Sequence, residues 1–73
     1  MSDPELREQV TRLVRYVDSL GWAHRAQCID ALMTPHKRLF EGKYGQRQRA
    51  LQEALDMPRP YLEALHRDLE NAT

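Results

Sequence analysis

The feature that most constrains this sequence is an apolar stripe at helical spacing near its N-terminus. Its members are Leu6, Val10, Leu13, Val14, Val17 and Leu20. Such spacing places these side chains on one face of an α-helix. Ser2 or Asp3 can cap the helix, and Pro4 suits its first turn. We expect Gly21 to end the helix in a left-handed conformation and Trp22 to fold back onto the core.

Proline and glycine divide the rest of the chain into further short helices. A second helix is expected over 23–33, with Ala26, Ile29, Leu32 and Met33 facing inward. Thr34 and Pro35 favour the start of a third helix, over 35–41, because threonine caps well and proline suits the first helical position. We expect this helix to bury Leu39 and Phe40 and to end at Gly42.

Two more helices are predicted in the C-terminal part. The fourth, over 46–55, is expected to bury Leu51, Ala54 and Leu55. The fifth, over 58–71, is expected to bury Leu62, Leu65 and Leu69. A chain of 73 residues has room for one modest core, and the alternating pattern of a strand is absent. The sequence therefore predicts one all-α domain, residues 1–73. We expect a compact bundle of four to five short helices with a helix-turn-helix-like C-terminal pair.

The net charge is zero, but the charges are unevenly distributed. Residues 36–50 carry five Lys and Arg against the single Glu41, which leaves +4. Residues 51–73 carry two Arg against five Asp and Glu, which leaves −3. A basic middle and an acidic end restrict the kind of partner more than they restrict the fold.

Several functional classes find no support in the sequence. It contains no glycine-rich phosphate loop, nucleophile elbow or paired carboxylates, so we expect neither an enzyme nor a cofactor. His24 and Cys28 lie four residues apart, but nothing completes a set of metal ligands, and a core cysteine beside a surface histidine is favoured. One cysteine and no long apolar run lead us to expect a cytoplasmic protein without a membrane partner.

The basic middle segment is the best candidate for a partner-binding surface. Its candidate residues are Lys37, Arg38, Lys43, Tyr44, Arg47 and Arg49. Basic and aromatic side chains suit an acidic protein surface, and they suit a nucleic-acid backbone equally well. Arg47 and Arg49 fall in the first turn of the fourth helix, where positive charge opposes the helix dipole. They lack a stabilising reason to be there, which favours contact with a partner over a solvated connector.

Residues 49–69 resemble the helix-turn-helix of Cro/repressor-like and homeodomain-like regulators. The resemblance is carried by the apolar spacing of Leu51, Leu55, Met57, Leu62 and Leu65. It implies that the second helix reads bases in the major groove, with Arg59, Glu63 and Arg67 at the reading positions. The sequence departs from the family at Gln52, where a small residue is usual, and at Asp56, where glycine is usual.

These patterns lead to two hypotheses about function. In the first, the chain is a small non-enzymatic transcription regulator that binds a protein, RNA polymerase or another part of the transcription machinery, through 36–49. In size and class it resembles small phage-encoded or mobile-element regulators. The alternative is a sequence-specific DNA-binding regulator that uses the helix over 58–70. Either could be a monomer or a homodimer, and a chaperone or assembly subunit stays open as a third hypothesis.

Overall fold

The computed structural model describes residues 2–73, which form five helices and no strand. They are α1 (Asp3–Ser19), α2 (Trp22–Ala31), α3 (Thr34–Lys37), α4 (Tyr44–Leu55) and α5 (Arg59–Ala72). The all-α bundle predicted from the sequence is confirmed. No helix among these residues has both the length and the apolar character that crossing a membrane requires.

The core lies between α1 and α5, the two longest helices. Val10 and Val17 of α1 and Leu65 and Leu69 of α5 are fully enclosed. The α1 stripe and the predicted inward residues of α5 are therefore confirmed, with Leu13 and Leu20 at the edge of the core. Ser2 caps α1, since its hydroxyl accepts a hydrogen bond from the Glu5 N–H at 3.4 Å.

The connection between α1 and α2 differs from the prediction. Leu20 and Gly21 are both extended, and Gly21 has φ −58°, so it is not the left-handed residue that we expected. The next helix begins directly at Trp22, whose side chain is 86% exposed and does not fold back onto the core. An extended connection leads the chain straight into α2, and Trp22 then lies at the outer end of that helix.

Helix α2 also uses a different face from the one predicted. Cys28 and Leu32 are buried and Ile29 is half-buried, whereas Ala26 and Met33 are exposed. The helix ends at Ala31 and Leu32 is extended, so helical spacing no longer applies to Met33. Once Cys28 takes the inward position, Ala26 lies about 200° away around the helix.

The segment between α3 and α4 is a tight turn that still contributes to the core. Leu39 and Phe40 are buried as predicted, although α3 itself ends already at Lys37. Gly42 has φ +84°, the one positive φ among the described residues. Helix α4 begins at Tyr44, two residues before the predicted start, with Lys43 as its N-cap. This turn sets the positions of the basic residues that precede and follow it.

Candidate partner-binding surface

The six basic and aromatic candidates lie on α3, on the turn after it and on the first half of α4. We call this set the basic surface: Lys37, Arg38, Lys43, Tyr44, Arg47 and Arg49. Four of its side chains are exposed, and Tyr44 is 69% exposed. Lys37 and Arg47 are half-buried.

Arg47 has a structural role that the sequence did not indicate. Its guanidinium lies 3.4 Å from the Asp18 carboxylate and 5.6 Å from the centre of the Tyr44 ring. Its Nε is buried and has no hydrogen-bond partner within residues 2–73. The prediction that Arg47 has no stabilising reason to lie at the start of α4 is therefore wrong, because Asp18 of α1 supplies the opposite charge.

Asp18 connects three helices through two arginines. Arg25 of α2 donates from Nε and from a terminal nitrogen to the same Asp18 oxygen, at 3.1 and 3.0 Å. The terminal nitrogen also donates to the Phe40 carbonyl at 3.1 Å, and the guanidinium lies 5.8 Å from the centre of the Phe40 ring. This half-buried cluster fixes the turn after α3 against α1 and α2. Part of the positive charge of the basic middle is thereby used for structure.

The remaining cations of the basic surface differ in their pairing. Arg38 donates to Glu53 of α4 at 2.6 Å, and both side chains are largely exposed. Exposed pairs of this kind contribute about 0–1 kcal/mol and exchange partners at little cost. Lys37, Lys43 and Arg49 form no ion pair with any residue in 2–73. The basic surface therefore presents charge that its own fold does not neutralise.

An apolar groove lies directly beside the basic surface. It has a volume of about 260 Å³ and is lined by Pro35, Arg38, Leu39, Ala50, Glu53, Ala54, Met57 and Tyr61. The turn residue Met57 is 43% exposed there. Apolar atoms form most of the lining, and the Arg38–Glu53 pair lies at the rim.

The DNA-reading candidates lie along α5, from its first residue, Arg59, to Arg67 in its second half. Arg59 donates to Asp3 at 2.5 Å and lies 3.5 Å from Glu63. Arg67 is exposed. The turn residue Asp56 has φ −86° and is therefore right-handed, unlike the glycine that is usual in the family. Arg59 is thus held by two carboxylates, while Arg67 remains available to solvent.

A buried histidine–aspartate pair was missed from the sequence. His36 of α3 is 6% exposed, and its Nδ1 lies 2.5 Å from Asp68 Oδ2 of α5. The same oxygen accepts a hydrogen bond from the Met33 N–H at 3.0 Å. The His36 and Tyr61 rings are nearly perpendicular, with ring centres 5.9 Å apart. The two partners are 32 residues apart in the chain, so no local spacing could have indicated the pair.

The titratable side chains do not gather into a metal site. Within residues 2–73, no group of three or more His, Cys, Asp or Glu side chains is placed to hold an ion. His24 is exposed whereas Cys28 is buried, so these two residues do not form a shared site. No model of a known protein family matches the sequence, and neither a curated protein nor a solved structure is significantly similar to it.

Proposed function

We propose that this chain is a small non-enzymatic regulator of transcription that acts by docking the basic surface on an acidic protein surface. The first candidate for the partner is RNA polymerase or another part of the transcription machinery. The observation that carries the proposal is the positive charge left over after internal pairing. Lys37, Lys43 and Arg49 are unpaired within residues 2–73, against the one unpaired acid of the segment, Glu41, which leaves +2.

Charge of this kind supports recognition of an acidic partner. Unpaired cations on one face accelerate and orient association with a surface of opposite charge. Tyr44 adds a rigid aromatic side chain, of a type that often carries binding energy at protein interfaces. Because Arg47 stacks on Tyr44, the ring is held at the surface in a defined position. The basic surface thus combines charge with a fixed aromatic contact.

Reading of DNA by α5 has less support. DNA affinity depends largely on Lys and Arg that neutralise phosphates. Arg59 is already paired with Asp3 and Glu63, and residues 51–73 carry an excess of acids. Arg67 alone does not form a basic face on this helix. A protein partner therefore fits the distribution of charge better than duplex DNA.

Binding of purified bacterial RNA polymerase to the intact chain tests the proposal. The variant carries Lys37→Ala, Lys43→Ala and Arg49→Ala, which remove the unpaired cations and leave the Asp18 cluster intact. We expect binding roughly tenfold weaker, on the basis of about 0.5 kcal/mol for each peripheral charge. Arg15→Ala, which removes a single cation, is the control for loss of positive charge away from the basic surface, because Arg15 is exposed on α1 and forms no ion pair within residues 2–73.

Two results would contradict the proposal. One is the failure of the unmodified chain to bind purified polymerase or any defined transcription factor. The other is equal binding by the triple variant and by Arg15→Ala. Duplex DNA is titrated in parallel, and salt-sensitive binding to DNA that is lost in Arg67→Ala would favour DNA reading instead.

A further inference from the structure

The apolar groove is a concave surface that borders the unpaired cations of the basic surface. Its walls come from the start of α3, from the middle of α4 and from the beginning of α5. We infer that this groove receives an apolar side chain from an acidic, amphipathic segment of a partner protein. The inference rests on the proposed function only in that the chain acts by binding a protein, and it does not depend on polymerase as the partner.

The size and lining of the groove favour a side chain over a small-molecule ligand. Small-molecule sites usually enclose about 300–1,000 Å³ and place several polar groups inside the cavity. This groove measures about 260 Å³ and is open to solvent, and its only charged lining residues form the Arg38–Glu53 pair. Met57 contributes a flexible thioether side chain, a type that adapts to different apolar partners. A single large apolar side chain is the occupant that this shape and chemistry fit.

The charges beside the groove indicate the sign of the charge on the partner segment that carries this side chain. Arg38 lies at the rim on the α3 side, directly after Lys37. Arg49 lies one helical turn before Glu53 on the α4 side. A partner carboxylate can take the place of Glu53 at Arg38, since the internal pair is exposed and weakly held. Acidic residues on both sides of the apolar anchor would therefore meet positive charge.

A helix of the partner is the natural carrier of such a segment. In helix-in-groove recognition, apolar anchors at intervals of three and four residues enter the groove, and polar residues flank them. Tyr61, which lines the groove, makes no hydrogen bond through its hydroxyl to another residue in 2–73. This hydroxyl can form a hydrogen bond with a polar group at the edge of the incoming helix.

Selection of random short peptides displayed on phage against the immobilised full chain tests the inference. We expect the enriched peptides to combine a large apolar residue with flanking Asp or Glu. Synthetic copies of them should bind Met57→Glu roughly thirtyfold more weakly, the loss expected for an anchor contact at the centre of an interface. Met33→Glu is the matched control, because Met33 is an exposed methionine that does not line the groove. Met33→Glu adds the same charge as Met57→Glu but leaves the groove contacts intact. The affinity of the peptides for Met33→Glu should therefore stay within about twofold of their affinity for the unmodified chain.

The outcomes separate this inference from the proposed function. Enrichment of basic peptides, equal binding to the Met57 and Met33 variants, or no enrichment at all would overturn the groove as a docking site. Peptides whose binding is lost in Trp22→Ala but kept in Met57→Glu would assign recognition to the exposed Trp22 end of α2 and would also overturn it. Polymerase takes no part in this selection, so failure of polymerase binding would leave the result for the groove unchanged.

Discussion

At the scale of single residues, the His36–Asp68 pair decides how α3 is attached. A four-residue helix has little stability of its own, since forming the first turn of a helix is unfavourable. Asp68 Oδ2 accepts from the Met33 N–H just before α3 and lies in hydrogen-bonding contact with His36 inside α3. One oxygen of α5 thereby fixes the short helix that forms one wall of the groove.

Replacement of Asp68 by alanine tests this attachment. The change leaves the buried His36 Nδ1 without its hydrogen-bond partner, which costs about 1–3 kcal/mol in the free energy of unfolding. The Met33 N–H is exposed and regains water, so it adds little to this loss. Urea denaturation followed by circular dichroism measures the difference.

The matched control for this change is Asp30→Ala. Asp30 is exposed on α2 and forms no ion pair within residues 2–73. Its replacement should change stability by less than about 0.5 kcal/mol, as is usual for surface positions. If Asp68→Ala is no more destabilising than Asp30→Ala, the buried pair does not hold α3 in place.

At the scale of elements, the turn into α4 depends on Gly42. Its φ of +84° is easily adopted only by glycine. A Cβ at this position would clash with Oε1 of Gln46, the atom that accepts a hydrogen bond from the Lys43 N–H at 3.1 Å. A side chain here would therefore disturb both the backbone and the cap of α4.

Two glycine substitutions on either side of Lys43 are expected to act in opposite directions. Gly42→Ala should lower stability by about 1–2 kcal/mol, because a residue with a Cβ strains the left-handed conformation. Gly45→Ala should raise stability by up to about 0.5 kcal/mol, since Gly45 is the second residue of α4 and its added Cβ meets no other part of the protein within 4 Å. Thermal unfolding of both variants measures the signs. A stabilising Gly42→Ala would contradict the role of this turn.

The sequence was sufficient to predict the helices but not every face or connection. The inward residues of α1 and α5 followed from helical spacing, because both helices are long enough for an apolar stripe to be unambiguous. Helix α2 spans ten residues with few large apolar side chains, so its pattern allowed either Ala26 or Cys28 to face inward. The prediction of Ala26 was wrong, because Cys28 is the buried residue. Trp22 was wrongly placed because burial tendency says nothing about whether a helix end reaches the core.

The residues of the candidate site were predictable from the sequence, whereas the ion pairs that they form were not. The basic surface was recognised from charge along the chain. The contacts of Arg47 and Arg38 are with Asp18 and Glu53, which are 29 and 15 residues away. Such contacts depend on how α1 and α4 pack, and no local pattern encodes that packing. The apolar groove has the same origin, since its lining residues come from three helices.

At the scale of the whole molecule, the separation of charge along the chain is partly cancelled by folding. Two ion pairs connect the basic middle segment to α1 and α4, namely Arg47–Asp18 and Arg38–Glu53. Two others connect α1 to the C-terminal pair of helices, namely Arg59–Asp3 and Arg7–Asp56. The exposed ones contribute little individually. The stability of the bundle therefore depends mainly on the apolar contact between α1 and α5.

Truncation of Leu65 should show that this contact supports the whole bundle. Leu65 is fully enclosed, and replacing such a leucine by alanine costs about 2–5 kcal/mol. A domain of this length has a total stability of roughly 4–11 kcal/mol, so the loss is a large fraction of it. Urea denaturation should show one cooperative transition at a lower midpoint, because α1, α2, α4, α5 and the turn after α3 all contribute to this core. Leu55→Ala should cost less, since Leu55 is only half-buried at the end of α4. Equal losses in the two variants would mean that the stability of the bundle does not centre on the contact between α1 and α5.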